Sequence, residues 1–182
     1  MSSFYSEIEL AELGLKSYGT NVLISKKCSI YAPQKVSLGN NVRIDDFCIL
    51  SGNITLGNNV HISAYSALYG AEGIEFQNYS GCSARTTIYS AMDDFSGDFL
   101  IGPMNPEGTT NVKGGKVTIC RFVQLGAHCL VFPNVTIHEG AVVGALSLVT
   151  KDIPGWSICV GIPAKKLRER RNGLLNLIYE KI

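Results

Sequence analysis

A Leu or Ile returns at every sixth residue between Val36 and Ala71, at Leu38, Ile44, Leu50, Leu56, Ile62 and Leu68. Two residues before each stands another small or apolar side chain: Val36, Val42, Cys48, Ile54, Val60 and Ser66. The residue between is usually polar, as at Ser37, Arg43, Thr55 and His61. A helix repeats apolar residues at about 3.6 and a lone strand at about 2, so neither accounts for a period of six. A fixed hexapeptide period signals a β-helix. Each six is a short strand plus a turn. Positions two apart share one face of a strand, so the apolar pair points into a lumen and the residue between points out. The sequences LGNN, ISAY and LGAH supply small or turn-prone residues just after the inward aliphatic.

The spacing extends in both directions. Ile24 and Ile30 precede the first run, and Phe76, Cys82 and Ile88 follow it. A second run holds Ile119, Leu125, Val131, Ile137, Val143 and Val149, with Val117, Val123, Cys129, Val135, Ala141 and Ser147 two residues earlier. The pattern divides the chain into a cap over 1–20, a repeat body over 21–163 and a C-terminal helix over 164–182. In the cap, residues 5–13 (YSEIELAEL) read as a short helix over the first open coil. Near the end, Leu167, Leu174, Leu175 and Ile178 share the face of a helix expected over about 164–180. Residues 92–116 interrupt the repeat. They hold two Pro, five Gly and few periodic apolar residues, so they form an excursion loop, and long loops on a rigid scaffold usually carry function.

The chain has 182 residues, enough for one domain, and is 46% hydrophobic and 17% charged, as in a well-buried globular protein. A net charge of +1 gives no electrostatic reason to expect nucleic acid. Residues 47–71 are nearly uncharged, but the Ser, Asn and Gly spread through them exclude a membrane span. The opening MSSFYSEIELAELGL lacks the basic start and apolar core of a signal peptide. The six cysteines show no CxxC pair, and Cys28, Cys48 and Cys129 take inward repeat positions. They read as small buried residues of a reduced, cytoplasmic protein.

The segment PNVTIHEGAVVGALSLVTKDIP, followed by VGIPAKKL, resembles the C-terminal half of bacterial hexapeptide acyltransferases. It is most similar to the galactoside and maltose O-acetyltransferase branch and to the acetyltransferases of cell-surface polysaccharide synthesis. The resemblance covers residues 20–170. It implies an all-β, left-handed parallel β-helix with three sides per coil, and hence about six coils from the seventeen units counted. It also implies a homotrimer with acetyl-CoA in the groove between subunits, and no metal. On that resemblance the pantetheine arm passes Gly126, Ala127 and Ala145, where small residues let an extended chain approach the backbone. Thr150 and Lys151 then lie near the adenine, and Lys165 near the 3′-phosphate, where a flexible point charge suits the anion. The implied reaction is acetyl transfer to a sugar hydroxyl in surface polysaccharide synthesis. The alternative is N-acetylation of a nucleotide-linked amino sugar, and a third reading is a non-catalytic trimeric scaffold.

One departure from the family pattern bears on the chemistry. The family keeps a His after the repeat that precedes the loop, where this chain reads IYSAMDDFSG and places Asp93. A His is poised near neutral pH to take a hydroxyl proton, whereas a carboxylate with a pKa of about 3.9 is a weak base. Either Asp94 raises the pKa of Asp93 by like-charge repulsion, or the acceptor is an amine, which attacks a thioester without prior deprotonation. His128, in LGAHCL, is the second candidate because it lies beside the implied CoA groove. His61 falls on an outward strand position, His138 in a turn, and Asp45 and Asp46 in an exposed turn that departs from the usual pattern. A β-helical carbonic anhydrase needs three His ligands, and the spacing of His61, His128 and His138 does not provide them.

Overall fold

The computed structural model describes residues 3–181, with side chains described through Ile178. It is an all-β solenoid, the left-handed parallel β-helix expected from the repeat and the resemblance. The first face stacks Leu23–Ile24, Arg43–Ile44, His61–Ile62, Gly81–Cys82, Gln124–Leu125, Val142–Val143 and Ser157–Val160 in parallel. The other two faces share a sheet because Ile49–Leu56 and Ala67–Phe76 run continuously around the corner between them. Their first halves pair with Ser29–Tyr31 and Thr87–Tyr89, and their second halves with Val36–Leu38 and Val117–Ile119.

The register turns the period of six into stacked columns. Ile24, Ile44, Ile62, Cys82, Leu125, Val143 and Cys159 align on the first face. Leu50, Leu68, Ile88, Val131 and Val149 align on the second. Leu38, Leu56, Phe76, Ile119 and Ile137 align on the third. All of these are buried, and complete burial of such a side chain stabilises the fold by roughly 1.5–3 kcal/mol. Cys28, Cys48, Cys82, Cys129 and Cys159 are buried free thiols. Burial pushes Cys28 and Cys82 up to about 12 and Cys48 up to about 11.

Corners require a residue in the left-handed region, and the chain places Asn41, Phe47, Asn59, Tyr65, Arg85, His128 and Leu146 there. Asparagine tolerates that conformation. At one corner it also links coils: Asn40 Oδ1 accepts from Thr20 N, Asn58 Oδ1 from Asn40 N and Asn78 Oδ1 from Asn58 N, each at 2.8 Å. The helix Glu7–Glu12 covers the first coil with buried Leu10, and a capping box between Ser6 and Glu9 starts it.

Two expectations change. The helix expected over 164–180 is confined to Leu174–Lys181. Lys165–Glu169 instead returns as an antiparallel strand on Ser157–Val160, so Leu167 is exposed rather than on a buried helix face. An open sheet edge offers unpaired backbone groups, and this strand satisfies them with a charged, blunted outer rim. The interruption at 92–116 is a loop on a stalk: Ala91–Asp93 pairs antiparallel with Val112–Gly114.

Candidate functional site

Asp93 ends the outgoing strand of the stalk and lies opposite Val112. It is half-buried, and its Oδ1 accepts a hydrogen bond from Gly102 N at 3.3 Å. It opens on a cavity of about 250 Å³ lined by Ala91, Met92, Gly102, Pro103, Thr110 and Val112. Asp94, the next residue, has a different role. It is buried, and its carboxylate takes Lys113 Nζ at 2.8 Å, Asn111 Nδ2 at 2.8 Å and Ser96 N at 2.6 Å. Its own N–H donates to Asn111 O at 2.8 Å. Lys113 and Ser96 hold the Asp94 carboxyl well below the usual carboxylate range. The expected like-charge coupling that raises a pKa is therefore replaced by neutralisation. Asp94 stays ionised and ties the two sides of the loop together. Asn111 and Lys113 belong to the site, and no residue pattern in the loop pointed to them.

His128 stands elsewhere. It is exposed at the corner that begins the second face, and its N–H donates to Ala84 O at 3.0 Å. It therefore stacks one coil above Arg85, while Asp93 lies beyond the far end of Thr87–Tyr89. Within one chain the two candidates occupy opposite ends of a face and do not form a pair.

The structure does bring Gly126, Ala127 and Ala145 together. Leu146 N donates to Ala127 O at 2.9 Å, which sets Ala145 directly on the Ala127 corner. A Cβ at Gly126 would lie 2.4 Å from Ala145 N, so only glycine allows the two coils to close there. Ala145 is exposed beside this step, and Thr150 and Lys151 are exposed just past Leu148–Val149. Ala164 N donates to Leu148 O at 2.7 Å, which brings the exposed Lys165 to the same end of the solenoid.

Asp45 and Asp46 are more engaged than an ordinary exposed turn. Asp45 Oδ1 accepts from Arg43 Nε and its Oδ2 faces His61 Nε2, both at 2.7 Å. Burial pushes Asp45 up, but the bonds from Arg43 and His61 outweigh it and the net shift is downward. Asp46 accepts from Ser25 Oγ at 2.5 Å and pairs with Lys27 Nζ at 3.1 Å. Among the described residues no cluster of three or more His, Cys, Asp or Glu is arranged to hold a metal. Among the described residues no helix is long and apolar enough to cross a membrane.

Comparison with known proteins agrees with this architecture. Residues 35–70 match the family described as bacterial transferase hexapeptide (six repeats). The chain is 42% identical, over 96% of its length and 93% of the relative's, to a dTDP-4-amino-4,6-dideoxy-D-glucose acyltransferase of Escherichia coli. It is 52% identical to AntD, an N-acyltransferase from Bacillus cereus solved with dTDP and 3-hydroxybutyryl-CoA, with a TM-score of 0.96 over 99% of this chain and 96% of that one. A maltose O-acetyltransferase from Clostridium difficile 630 is 20% identical with a TM-score of 0.56, covering 91% of this chain and 75% of that one, and shares the fold alone. By repeat, fold and whole-length likeness, the chain belongs to the hexapeptide-repeat acyltransferases.

Proposed function

We propose that this protein transfers an acyl group from an acyl-CoA to the amino group of a dTDP-linked 4-amino-4,6-dideoxyhexose. The observation that carries the reading is likeness along the whole chain, 42% over 96% of its length, to an acyltransferase of that substrate class. A serine-to-cysteine variant of the Bacillus cereus relative has also been solved with dTDP-4-amino-4,6-dideoxyglucose and coenzyme A together. This favours the amine acceptor over the sugar hydroxyl that the O-acetyltransferase resemblance implies.

The carboxylate at Asp93 fits the same chemistry. A neutral amine adds to the thioester carbonyl, the C–N bond forms and the C–S bond breaks. The amine proton is lost only after addition, and the departing CoA sulfur takes up a proton. A weak base suffices for that sequence, so a His at the loop is not required. Asp93 orients the amine by accepting its N–H and relieves the positive charge that develops on nitrogen. The small-residue step at Gly126, Ala127 and Ala145 receives the pantetheine arm, with Thr150, Lys151 and Lys165 toward the nucleotide end of CoA. His128 follows Ala127 at this step, at the opposite end of the face from Asp93 within one chain, and a homotrimer would complete the groove between neighbouring subunits.

The test is thiol release from acetyl-CoA and from 3-hydroxybutyryl-CoA, with dTDP-4-amino-4,6-dideoxyglucose set against its 4-hydroxy counterpart. Turnover is expected with the amine, and its rate should rise with pH as the ammonium loses its proton. Asp93→Asn should lower kcat by less than the ~10²–10⁴-fold that follows loss of a general base, because the amine needs no prior deprotonation. Turnover of the hydroxyl sugar alone would overturn the reading.

A further inference from the structure

The stalk of the excursion loop has two faces with different work. Side chains alternate along a strand, so Asp93 shares one face of the ribbon with its partner Val112, while Met92 and its partner Lys113 lie on the other. Asp94, one residue past the strand, falls on that second face and is the hub of a clasp. Its carboxylate is 4% exposed. It takes Lys113 Nζ and Asn111 Nδ2 from the returning side, each at 2.8 Å, and Ser96 N from the outgoing side at 2.6 Å. The carboxylate of Asp93 has no such frame. Among the described residues it takes one hydrogen bond, from Gly102 N at 3.3 Å, longer than the usual value of about 2.9–3.0 Å. Gly102 is itself set by a turn in which Asn105 Nδ2 donates to Ile101 O at 2.9 Å and to Gly102 O at 3.2 Å. The direction of the Asp93 carboxylate therefore depends on the backbone that carries it, and the clasp on the reverse face fixes that backbone.

We propose that Lys113 is a positioning residue for acyl transfer: bound to Asp94 on one face of the stalk, it holds the Asp93 carboxylate on the other face toward the amine of the acceptor. The inference rests on the proposed function, in which Asp93 accepts the amine N–H. Lys113 is 67% exposed, so it brings its charge from the solvent side to a carboxylate that is almost wholly enclosed. Asn111 sets the register of the same pair, because its O accepts from Asp94 N at 2.8 Å. Lys113 supplies the charge. An ionised carboxylate enclosed without its cation is costly. With that cation removed, Asp94 turns toward water, and Asp93, the residue before it, turns with the chain. A displacement of about 1 Å at a reacting centre can cost about 10²-fold in rate.

Steady-state kinetics of the full chain with acetyl-CoA and dTDP-4-amino-4,6-dideoxyglucose test this as a double-mutant cycle. Lys113→Met should lower kcat by about tenfold or more, no further than Asp93→Asn does, and leave both KM values within about twofold. Lys113→Arg keeps the charge and should keep the wild-type kcat. In the Asp93→Asn background Lys113→Met should cost nothing further, because the carboxylate it positions is gone. Amide exchange at Gly102 needs no turnover: protection of its N–H should be lost in Lys113→Met and retained in Lys113→Arg. Equal losses of kcat in both backgrounds would make Lys113 a general support of the loop and overturn the inference. Full activity of Lys113→Met, or unchanged protection at Gly102, would overturn it too. If Asp93→Asn alone keeps full activity on the amino sugar, nothing at Asp93 needs positioning, and the inference fails while the acyl transfer stands. If the wild type does not acylate the amino sugar, the proposed function fails and the inference with it.

Discussion

At the scale of single residues, neighbouring carboxylates take different work from their surroundings. Asp93 faces a cavity with one weak backbone contact, whereas Asp94 is buried against Lys113, Asn111 and Ser96. The sequence shows two adjacent aspartates and cannot say which is spent on structure, because the partners of Asp94 arrive from the far side of the loop. The consequence for pH has a definite sign. A carboxyl depressed in the folded state contributes stability that is fully present above its unfolded pKa of about 3.9 and is lost as pH falls from there toward the depressed folded value. Asp94→Asn should therefore melt below the wild type at neutral pH, and the two melting temperatures should converge below about pH 4. A gap that stays constant through acid would exclude the ion pair as its origin.

At the scale of elements, the corner decides what each strand can carry. The turn between the first and second faces must close in few residues, so its stacked positions are small at Ala64, Ala84, Ala127 and Ala145. Gly126 is held to glycine by the backbone of Ala145. The residue type was legible as a turn signal. Its stacking into a continuous step was not, because the loop of residues 92–116 hides the register between the fourth and fifth coils. Ala145→Trp should abolish coenzyme A binding in a titration while leaving the unfolding transition intact, because the indole projects from an exposed position. Unchanged affinity would move the cofactor away from this step. The return strand Lys165–Glu169 shows the same limit from another direction. KKLRE is rich in good helix formers, and local propensity points to a helix. The unpaired edge of Ser157–Val160 supplies backbone partners that outweigh that preference.

At the scale of the molecule, the columns share one lumen, and no side chain in them is replaceable by a charge. Leu56 is 1% exposed between Leu38 and Phe76. Leu56→Asp should cost more than about 4 kcal/mol, because an ionised carboxylate there has neither water nor a partner. Chemical denaturation, or loss of soluble expression, checks this. A variant with near-wild-type stability would mean the column can open to solvent. The stalked loop and the first corner lie at opposite ends of the second face, so Asp93 and His128 belong to separate regions of one chain.

The chain's local patterns determined the solenoid and its inward columns through the period of six, the cap helix Glu7–Glu12 through the stretch YSEIELAEL, and the departure of the loop through the break in the repeat. These follow from order along the chain, because a strand and turn of six residues bury the same two positions in every side of the coil; the left hand and the three sides came with the family resemblance. Only the tertiary structure decided that Asp94 is neutralised by Lys113, that Asp45 is shared by Arg43 and His61, and that Phe47, Tyr65 and Arg85 form one ladder. Apart from Arg43–Asp45, two residues apart on one coil, each of those contacts joins residues from different coils or from the two sides of a loop. The distance between them is set by the stacking of coils, which no local pattern records.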